Sequence, residues 1–327
     1  MVCLQNDYLW SIENDCKMNI ISLFSGAGGL DLGLLLAGNN IVWANDVDKD
    51  AVATYKKNIG SNIICGDIND VDISSVPEAD VVVGGFPCQG FSVANIKRSI
   101  NDGRNQLYKF FLRMIMDKHP KYFIAENVRG ILNLGDGEVI SAIVSDFEKA
   151  GYIVTVNLVN MADYGVPQAR KRVIILGQRM DLGSEMKLVI PPKTHSNKSA
   201  DNLPAWVTIK EAIDHFPEPG NDCGLLNHIA SSYKLSFRNF TGHRPTDPDK
   251  PSPTILARGN GKGGVVAIPH YNGERRLTIR ESATIQTFPE NFEFVGKMNS
   301  CYRQIGNAVP VRFARMLGEE LRTLESK

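Results

Sequence analysis

The 327-residue chain predicts an α/β protein: a doubly wound, mainly parallel sheet of Rossmann-like type with a second, smaller, loop-rich domain. Three observations carry that expectation. Between Ile20 and Gly177 short β-branched runs alternate with stretches of helical spacing, the pattern of parallel strands joined by crossover helices. A glycine turn, FSGAGG at 24–29, closes the first of those runs and opens the first helix. After Gly177 the texture shifts to Pro, Asn, Asp and Gly, as in PPKTHSN, FPEPGND and RPTDPDKPSPT, with no sustained helical period up to about residue 275.

Taken in order, IISLF reads as a strand and LDLGLLLAG as an apolar helix. IVWAN is the second strand, followed by a helix from Asp48 to Asn58 and the strand NIIC. The run Ala79-Asp80-Val81-Val82-Val83 is unbroken and β-branched, as a buried parallel strand should be, and it ends at Gly84-Gly85. Leu107, Phe110, Phe111, Met114 and Ile115 recur at helical spacing. Strand YFIAEN, a helix from Glu138 to Lys149 stopped by Gly151, and the strands IVTVNLV and RVIILG complete the sheet. From Val309 to Leu324 a helical pattern returns, expected to dock back on the sheet. The first seventeen residues read as a tail.

Composition narrows the class. Hydrophobic residues make up 43% and charged residues 22%, so the chain can bury a core of ordinary size. Its six cysteines form no C-x-x-C pair, which suggests neither a zinc site nor a disulfide framework and fits reduced intracellular thiols. No apolar run approaches the ~20 residues of a membrane span, and the acidic N-terminus is unlike a signal peptide, so no membrane partner and a cytoplasmic location are expected. Net charge is zero, yet between His228 and Arg280 nine Lys or Arg face three acids, the footprint of a surface for a polyanion.

Ligands of open α/β sheets bind beyond the carboxyl ends of the strands, which makes the residues there the candidates for chemistry. The glycines of FSGAGG let the backbone turn and approach a ligand, but they match neither the spaced dinucleotide fingerprint nor a phosphate-binding G-x-x-x-x-G-K. Asp46, ending the second strand about twenty residues on, is placed to accept ribose hydroxyls, and Asp67 is placed to accept from an adenine amino group. One nucleoside without a pyrophosphate points to S-adenosylmethionine rather than NAD. Either acid has a plain alternative as a helix cap. Cys88, in GGFPCQGFS, follows the Val81–Val83 strand; Glu126 ends another strand; Arg170 and Arg172 of QARKR read as sharing one side of an extended segment.

In order along the chain, FSGAGGL, the acid of AND, GDI, GGFPCQGFS, ENV, QARKR, RRLTIRESATIQTFP and QIGNAVP resemble the DNA (cytosine-5) methyltransferases of prokaryotic restriction-modification type, over Ile20 to Val311. The resemblance implies that Cys88 attacks C6 of a flipped-out cytosine, Glu126 hydrogen-bonds or protonates N3, and Arg172, with Arg170, holds O2. It implies that S-adenosylmethionine sits against Phe24, Gly26, Ala27, Gly29, Asp46, Val47, Asp67, Ile68 and Pro87, with Asn307 and Val309 completing the pocket. It divides the chain into a tail (1–17), a catalytic and cofactor-binding domain (18–179), a target-recognition domain with hinge (180–299) and a returning segment (300–327). The segment 89–104 reads as a closing loop, and Arg238, Asn239, Arg244 and Arg258 as candidates for base contacts. The implied substrate is a short specific sequence of double-stranded DNA and the implied functional partner a cognate restriction endonuclease, with the protein itself a monomer. Departures from the family pattern are Asp46 where Glu is commoner, Asn105 for Gly, and Ser282 and Thr284 for Cys and Arg. A tRNA-methylating member of the same fold and a non-catalytic DNA binder are the rival readings.

Overall fold

The computed structural model describes residues 17–87, 106–197, 202–220, 224–231, 235, 246–257 and 268–326. Seven strands form one sheet: β1 (Asn19–Leu23), β2 (Asn40–Asp46), β3 (Ile63–Cys65), β4 (Val81–Gly84), β5 (Tyr122–Val128), β6 (Tyr152–Asn160) and β8 (Lys171–Arg179), in the order β3-β2-β1-β4-β5-β8-β6. Every pairing from β3 to β5 is parallel, whereas β8 runs antiparallel to both β5 and β6. The reversal has a simple cause. Only residues 161–170 separate β6 from β8, too short a connection for the dozen or more residues of a parallel crossover.

Successive residues along each strand serve opposite faces, so both faces need cover. Ile20, Val81, Val83, Tyr122, Ile124, Ile174 and Leu176 enter one core, where they meet α1 (Gly29–Leu36), α2 (Lys49–Asn58) and the C-terminal helix. Their neighbours Ile21, Val82, Phe123, Ala125, Val173 and Ile175 enter a second core under α3 (Gln106–Lys118) and α4 (Glu138–Lys149), in which Phe111, Phe123 and Phe147 pack edge to face or tilted. These two cores are the physical content of the doubly wound expectation.

The chain then runs through the short helix α5 (Ile209–Ile213), a two-residue strand β9 (Ser252–Pro253) paired with β7 (Gln168–Ala169), and the helices α6 (Ile279–Ile285) and α7 (Met298–Asn307). A third core gathers Ile209, Ile213, Ile255, Leu277, Phe288, Phe292, Phe294, Tyr302 and Ile305, and Ala27 of the glycine turn joins it. Thr208 and Thr278 start α5 and α6 with reciprocal capping boxes through Glu211 and Glu281. The last helix, α8 (Val311–Glu325), sinks Phe313, Leu317 and Leu321 into the first core. It lies so close to α1 that a Cβ on Gly33 would come within 2.4 Å of the Ala314 side chain, and one on Gly318 within 2.6 Å of Ala37. Among the described residues no helix is long and apolar enough to cross a membrane.

The basic stretch between His228 and Arg280 needs correction. Arg280 is fully buried and donates to the carbonyls of Leu226, Pro289 and Phe292. Arg275 is bound to Glu281 at 2.8 Å and to Glu218, Arg276 is 5% exposed, and Lys250 pairs with Asp247. Three of the nine charges, Arg275, Arg276 and Arg280, are thus consumed inside the fold, while Lys250 pairs with Asp247 at the surface; Lys234, Arg238, Arg244, Arg258 and Lys262 lie outside the described residues, as does Asn239.

Candidate active site at the carboxyl edge of the sheet

The first strand ends in a backbone conformation that ordinary side chains avoid. Phe24 has φ 57° and the following Gly26 and Gly28 have φ 55° and 85°, so the chain leaves β1 through left-handed residues before α1 begins. The two glycines serve different needs. A Cβ on Gly28 would strike Ile59 at 2.2 Å, whereas beside Gly26 there is open space, a cradle that a ligand can enter. Asp46, at the end of β2, faces this turn: its Oδ2 accepts the Gly26 N–H at 2.7 Å and its Oδ1 the Asp48 N–H at 2.8 Å. Burial raises its pKa, and the two N–H groups hold that rise back. Next to it Val47 is 69% exposed, an apolar side chain left at the rim.

Other expected pocket residues fall out differently. Asp67 caps a single 3-10 turn, its Oδ1 accepting the N–H and side-chain amide of Asn69 at 2.9 and 2.8 Å, so here the capping alternative is realised. Ile68, 2% exposed, packs in the second core and its side chain serves that core. Asn307 is exposed at the end of α7, and the Val309 carbonyl lies against the glycine turn, where a Cβ on Gly29 would approach it to 2.5 Å. The far end of the chain therefore does reach FSGAGG. Ala27 is 2% exposed and packs in the third core, and Pro87 is exposed.

Two strand-ends away from the glycine turn stands a pair of opposite charges. Glu126 is near the end of β5, and because β8 is reversed its amino end reaches the same edge, with Arg172 in register with Val128. The Arg172 Nε and Glu126 Oε1 meet at 2.8 Å, with the two side chains 12% and 13% exposed. Neither of those two buried atoms completes a well-directed hydrogen bond, which leaves the pair with capacity for a further partner. Burial lowers the Arg172 pKa and the Glu126 carboxylate opposes that change.

The turn that leads to Cys88 starts beside this pair. A Cβ on Gly84 would lie 2.7 Å from the Leu23 carbonyl, so close approach demands that glycine, and one on Gly85 would lie 3.2 Å from Glu126 Oε2, which brings this turn into contact with the carboxylate. Asn127, 3% exposed, donates from its side chain to the Phe86 carbonyl at 2.9 Å, and the Phe86 ring packs against Tyr108 and Phe111. Asn127 is a positioning residue that the sequence reading passed over, although it stands in the ENV run beside Glu126. Cys88 itself, with the 89–104 segment and Asn105, lies outside the described residues.

Arg170 is the clear correction. It is 1% exposed, and its guanidinium donates to the carbonyls of Ile255, Gly306 and Ala308. Burial, and then the charge of Arg172, lowers its pKa. The expectation that it shares one side with Arg172 assumed unbroken strand alternation. Instead the Arg170 N–H bonds the Gln168 carbonyl at 2.9 Å, a tight turn between β7 and β8 that breaks the alternation. Arg170 binds the fold, and Arg172 faces Glu126.

A second group also went unread in the sequence. Beneath the glycine turn, Ser22 donates to Asp31 at 2.7 Å and Ser25 donates to Ser22 at 3.0 Å. Asp31 is completely buried, and burial pushes its carboxyl up to about 6. An acid inside an apolar helix gave no periodic signal to find it by.

Comparison with known proteins agrees with this arrangement. The profile of the family "C-5 cytosine-specific DNA methylase" matches residues 18–323. The Type II methyltransferase M.NgoFVII of Neisseria gonorrhoeae is 39% identical over 317 residues, covering 90% of this chain and 83% of that protein. The Type II methyltransferase M.FnuDI of Fusobacterium nucleatum is 36% identical, covering 95% of this chain and 96% of its own. Among solved structures, a prophage-encoded E. coli chain assigned as a DNA modification methyltransferase superposes with a TM-score of 0.71 at 25% identity, covering 95% of this chain and 100% of that one. With a mainly parallel sheet whose reversed strand β8 brings Arg172 to Glu126 at the edge that also carries the glycine turn, and a family profile that spans nearly its whole length, the chain belongs to the C-5 cytosine-specific DNA methylases and is a DNA (cytosine-5-)-methyltransferase.

Proposed function

We propose that the protein methylates C5 of a flipped-out cytosine in a short duplex sequence, as the modification half of a type II restriction-modification pair, using Cys88 as nucleophile. The observation that carries the chemistry is the Glu126–Arg172 pair at 2.8 Å, set beside the Gly85 turn that leads to Cys88. The names of the bacterial relatives support the restriction-modification setting; a cognate endonuclease that shares the site, and a cytoplasmic monomer, complete the reading.

C5 of cytosine is a weak nucleophile until the ring is activated covalently. The Cys88 thiolate adds to C6, forming the S–C6 bond and moving an electron pair toward N3 and O2. A free thiol with a pKa of about 8.5 needs a cationic neighbour to ionise, and Arg172 stands at that edge. Glu126 protonates or hydrogen-bonds N3 while the Arg172 guanidinium holds O2, so the charge developing on the ring meets a donor at each position. When C5 has gained its methyl, N3 gives any proton it took back to Glu126, the C5 proton passes to a base, the C5–H electron pair re-forms the C5=C6 double bond, and the Cys88 sulfur leaves C6 with its bonding pair as thiolate. The ring atoms are stacked in a duplex, so the target must be extruded before Cys88 can reach it.

S-adenosylmethionine supplies the methyl group when bound. The glycine turn fits it: open space beside Gly26, the Asp46 carboxylate at 2.7 Å from the Gly26 N–H, and exposed Val47 make a nucleoside cradle. In this reading Phe24, Ala27, Gly29, Pro87, Asn307 and Val309 complete the pocket, which the Val309 carbonyl beside Gly29 supports; Asp67 and Ile68, a cap and a core residue, are left to the backbone at the third strand's end. The recognition role falls to the segment between about 180 and 299, whose undescribed arginines remain the candidates for base contacts.

Trapping tests the mechanism. Duplex DNA carrying 5-fluorocytosine blocks the final proton loss, so wild-type protein with cofactor should form a denaturation-resistant protein–DNA complex. Cys88→Ala should form none. A complex that persists in Cys88→Ala, or its absence from active wild type, would refute Cys88 as nucleophile.

A further inference from the structure

Asp31 carries a carboxyl group that the fold buries without a cation. It stands on α1, completely buried, two residues past the glycine turn. Its Oδ1 accepts the Ser22 hydroxyl at 2.7 Å, and Ser22 Oγ accepts the Ser25 hydroxyl at 3.0 Å. Two hydrogen bonds thus join the carboxyl to the residue before Gly26, where the open cradle lies. The Tyr55 ring packs under the same turn, 2.9 Å from where a Cβ on Gly28 would be. Burial, and then the neighbouring Asp31 charge, raises the Tyr55 pKa. Neither the Tyr55 hydroxyl nor Asp31 Oδ2 completes a well-directed hydrogen bond.

The titratable and charged groups that act on Asp31 are Tyr55 of α2 and Asp46 of β2; β1 brings only the Ser22 hydroxyl, and α8 meets α1 through Ala314 and Gly318. Among the described residues no Lys, Arg or His pairs with it. Burial pushes the carboxyl up to about 6; the Ser22 and Tyr55 hydroxyls oppose that rise, and the Asp46 charge adds to it. Above that pH an anion is enclosed beneath the cradle, and a cationic ligand in the cradle compensates it. S-adenosylmethionine has a sulfonium charge where its demethylated product, S-adenosylhomocysteine, has a neutral thioether. We propose that Asp31 is a specificity-determining residue that makes the cofactor pocket favour the sulfonium of the methyl donor over the thioether of the spent cofactor. This rests on the S-adenosylmethionine reading above. Asp31 does not line the cradle: it acts through the field of its charge and through the Ser22 and Ser25 hydroxyls which that charge orients. Once the methyl group has left, the attraction is gone and exchange for fresh donor is favoured.

Calorimetric titration of the full chain with each of the two molecules, between about pH 5 and about pH 7.5, tests this. In wild type the Kd of S-adenosylhomocysteine divided by that of S-adenosylmethionine should rise about tenfold, with a midpoint near 6. A rise of that order is what a unit charge about 10 Å from another produces at an effective dielectric constant of about 20. Asp31→Asn, which keeps an acceptor for Ser22, should hold the ratio at its low-pH value throughout. Ser22→Ala removes a donor that stabilises the carboxylate, so its midpoint should move to higher pH. A purely structural Asp31 would weaken both ligands together and leave the pH dependence of their ratio as it is in wild type. A flat ratio in wild type, or an equal rise in folded Asp31→Asn, would overturn the assignment. Ser22→Ala carries the test if Asp31→Asn does not fold, and an unmoved midpoint there would overturn it too. Folded wild type that binds neither molecule would overturn the cofactor reading, and the role of Asp31 with it.

Discussion

At Glu126 and Arg172 two charges sit nearly out of solvent, 2.8 Å apart, and neither is stable there without the other. Removing one partner therefore does two things. Glu126→Gln keeps a hydrogen-bonding group at N3 but cannot give up a proton, so kcat should fall by about 10²–10⁴ with KM for DNA little changed. Arg172→Ala should cost about 10²–10³ in kcat and, by stranding a buried carboxylate, about 3 kcal/mol of stability, readable by urea unfolding. Equal kcat in Glu126→Gln and wild type would remove this acid from the chemistry. Asp31 makes the opposite kind of prediction. Its carboxyl rises from its ordinary 3.8 to about 6, so the native state binds the proton more tightly than the unfolded chain. The stability this proton brings is present below about pH 4 and is lost as pH rises through 6. Asp31→Asn, which keeps the acceptor for Ser22, should gain on wild type by up to about 2–3 kcal/mol between pH 4 and 7.5. A flat difference across that range would contradict the assignment. Glu126 and Arg172 were legible because residue type and strand-end position agree. Arg170 was not, since its turn with Gln168 is a backbone event that residue spacing does not record.

Among the elements, the strands and helices of the sheet were legible because unbroken β-branched runs alternate with stretches of 3.6-residue period over 20–177. The direction of β8 was readable as well, from the ten-residue gap before it, but only through the connection rule and not from the strand itself. That direction matters most to the site, because a parallel β8 would carry Arg172 to the opposite edge from Glu126. The pairing of α1 with α8 was invisible from the pattern of either helix. It depends on Gly33 and Gly318, which bring the two backbones together across nearly three hundred residues of sequence. Gly33→Ala should therefore overpack this contact and lower the urea midpoint by an equivalent of about 1–3 kcal/mol, whatever helix propensity the alanine adds. Gly130→Ala, which meets nothing within 4 Å, is the neutral control. Equal losses in both would mean that close packing is not what Gly33 provides.

For the whole molecule, the charge count overstated the basic surface by three arginines, whereas the motif order held. Nine basic residues in one segment suggested a polyanion surface, yet Arg275, Arg276 and Arg280 are structural, held by Glu281, by burial or by main-chain carbonyls. Net charge along a sequence cannot distinguish a solvated arginine from one that caps a core. The family order, in contrast, is a whole-chain property, and the third core explains why: Ala27 of the glycine turn packs with residues from 209 to 311, so the first and last motifs meet in space. The measurement that tests the central claim most directly is bisulfite sequencing of a plasmid propagated with this gene in a host that lacks cytosine methylation. The account predicts protected cytosines confined to one short sequence context, lost with Cys88→Ala. Unprotected plasmid from cells containing folded wild-type protein would contradict it.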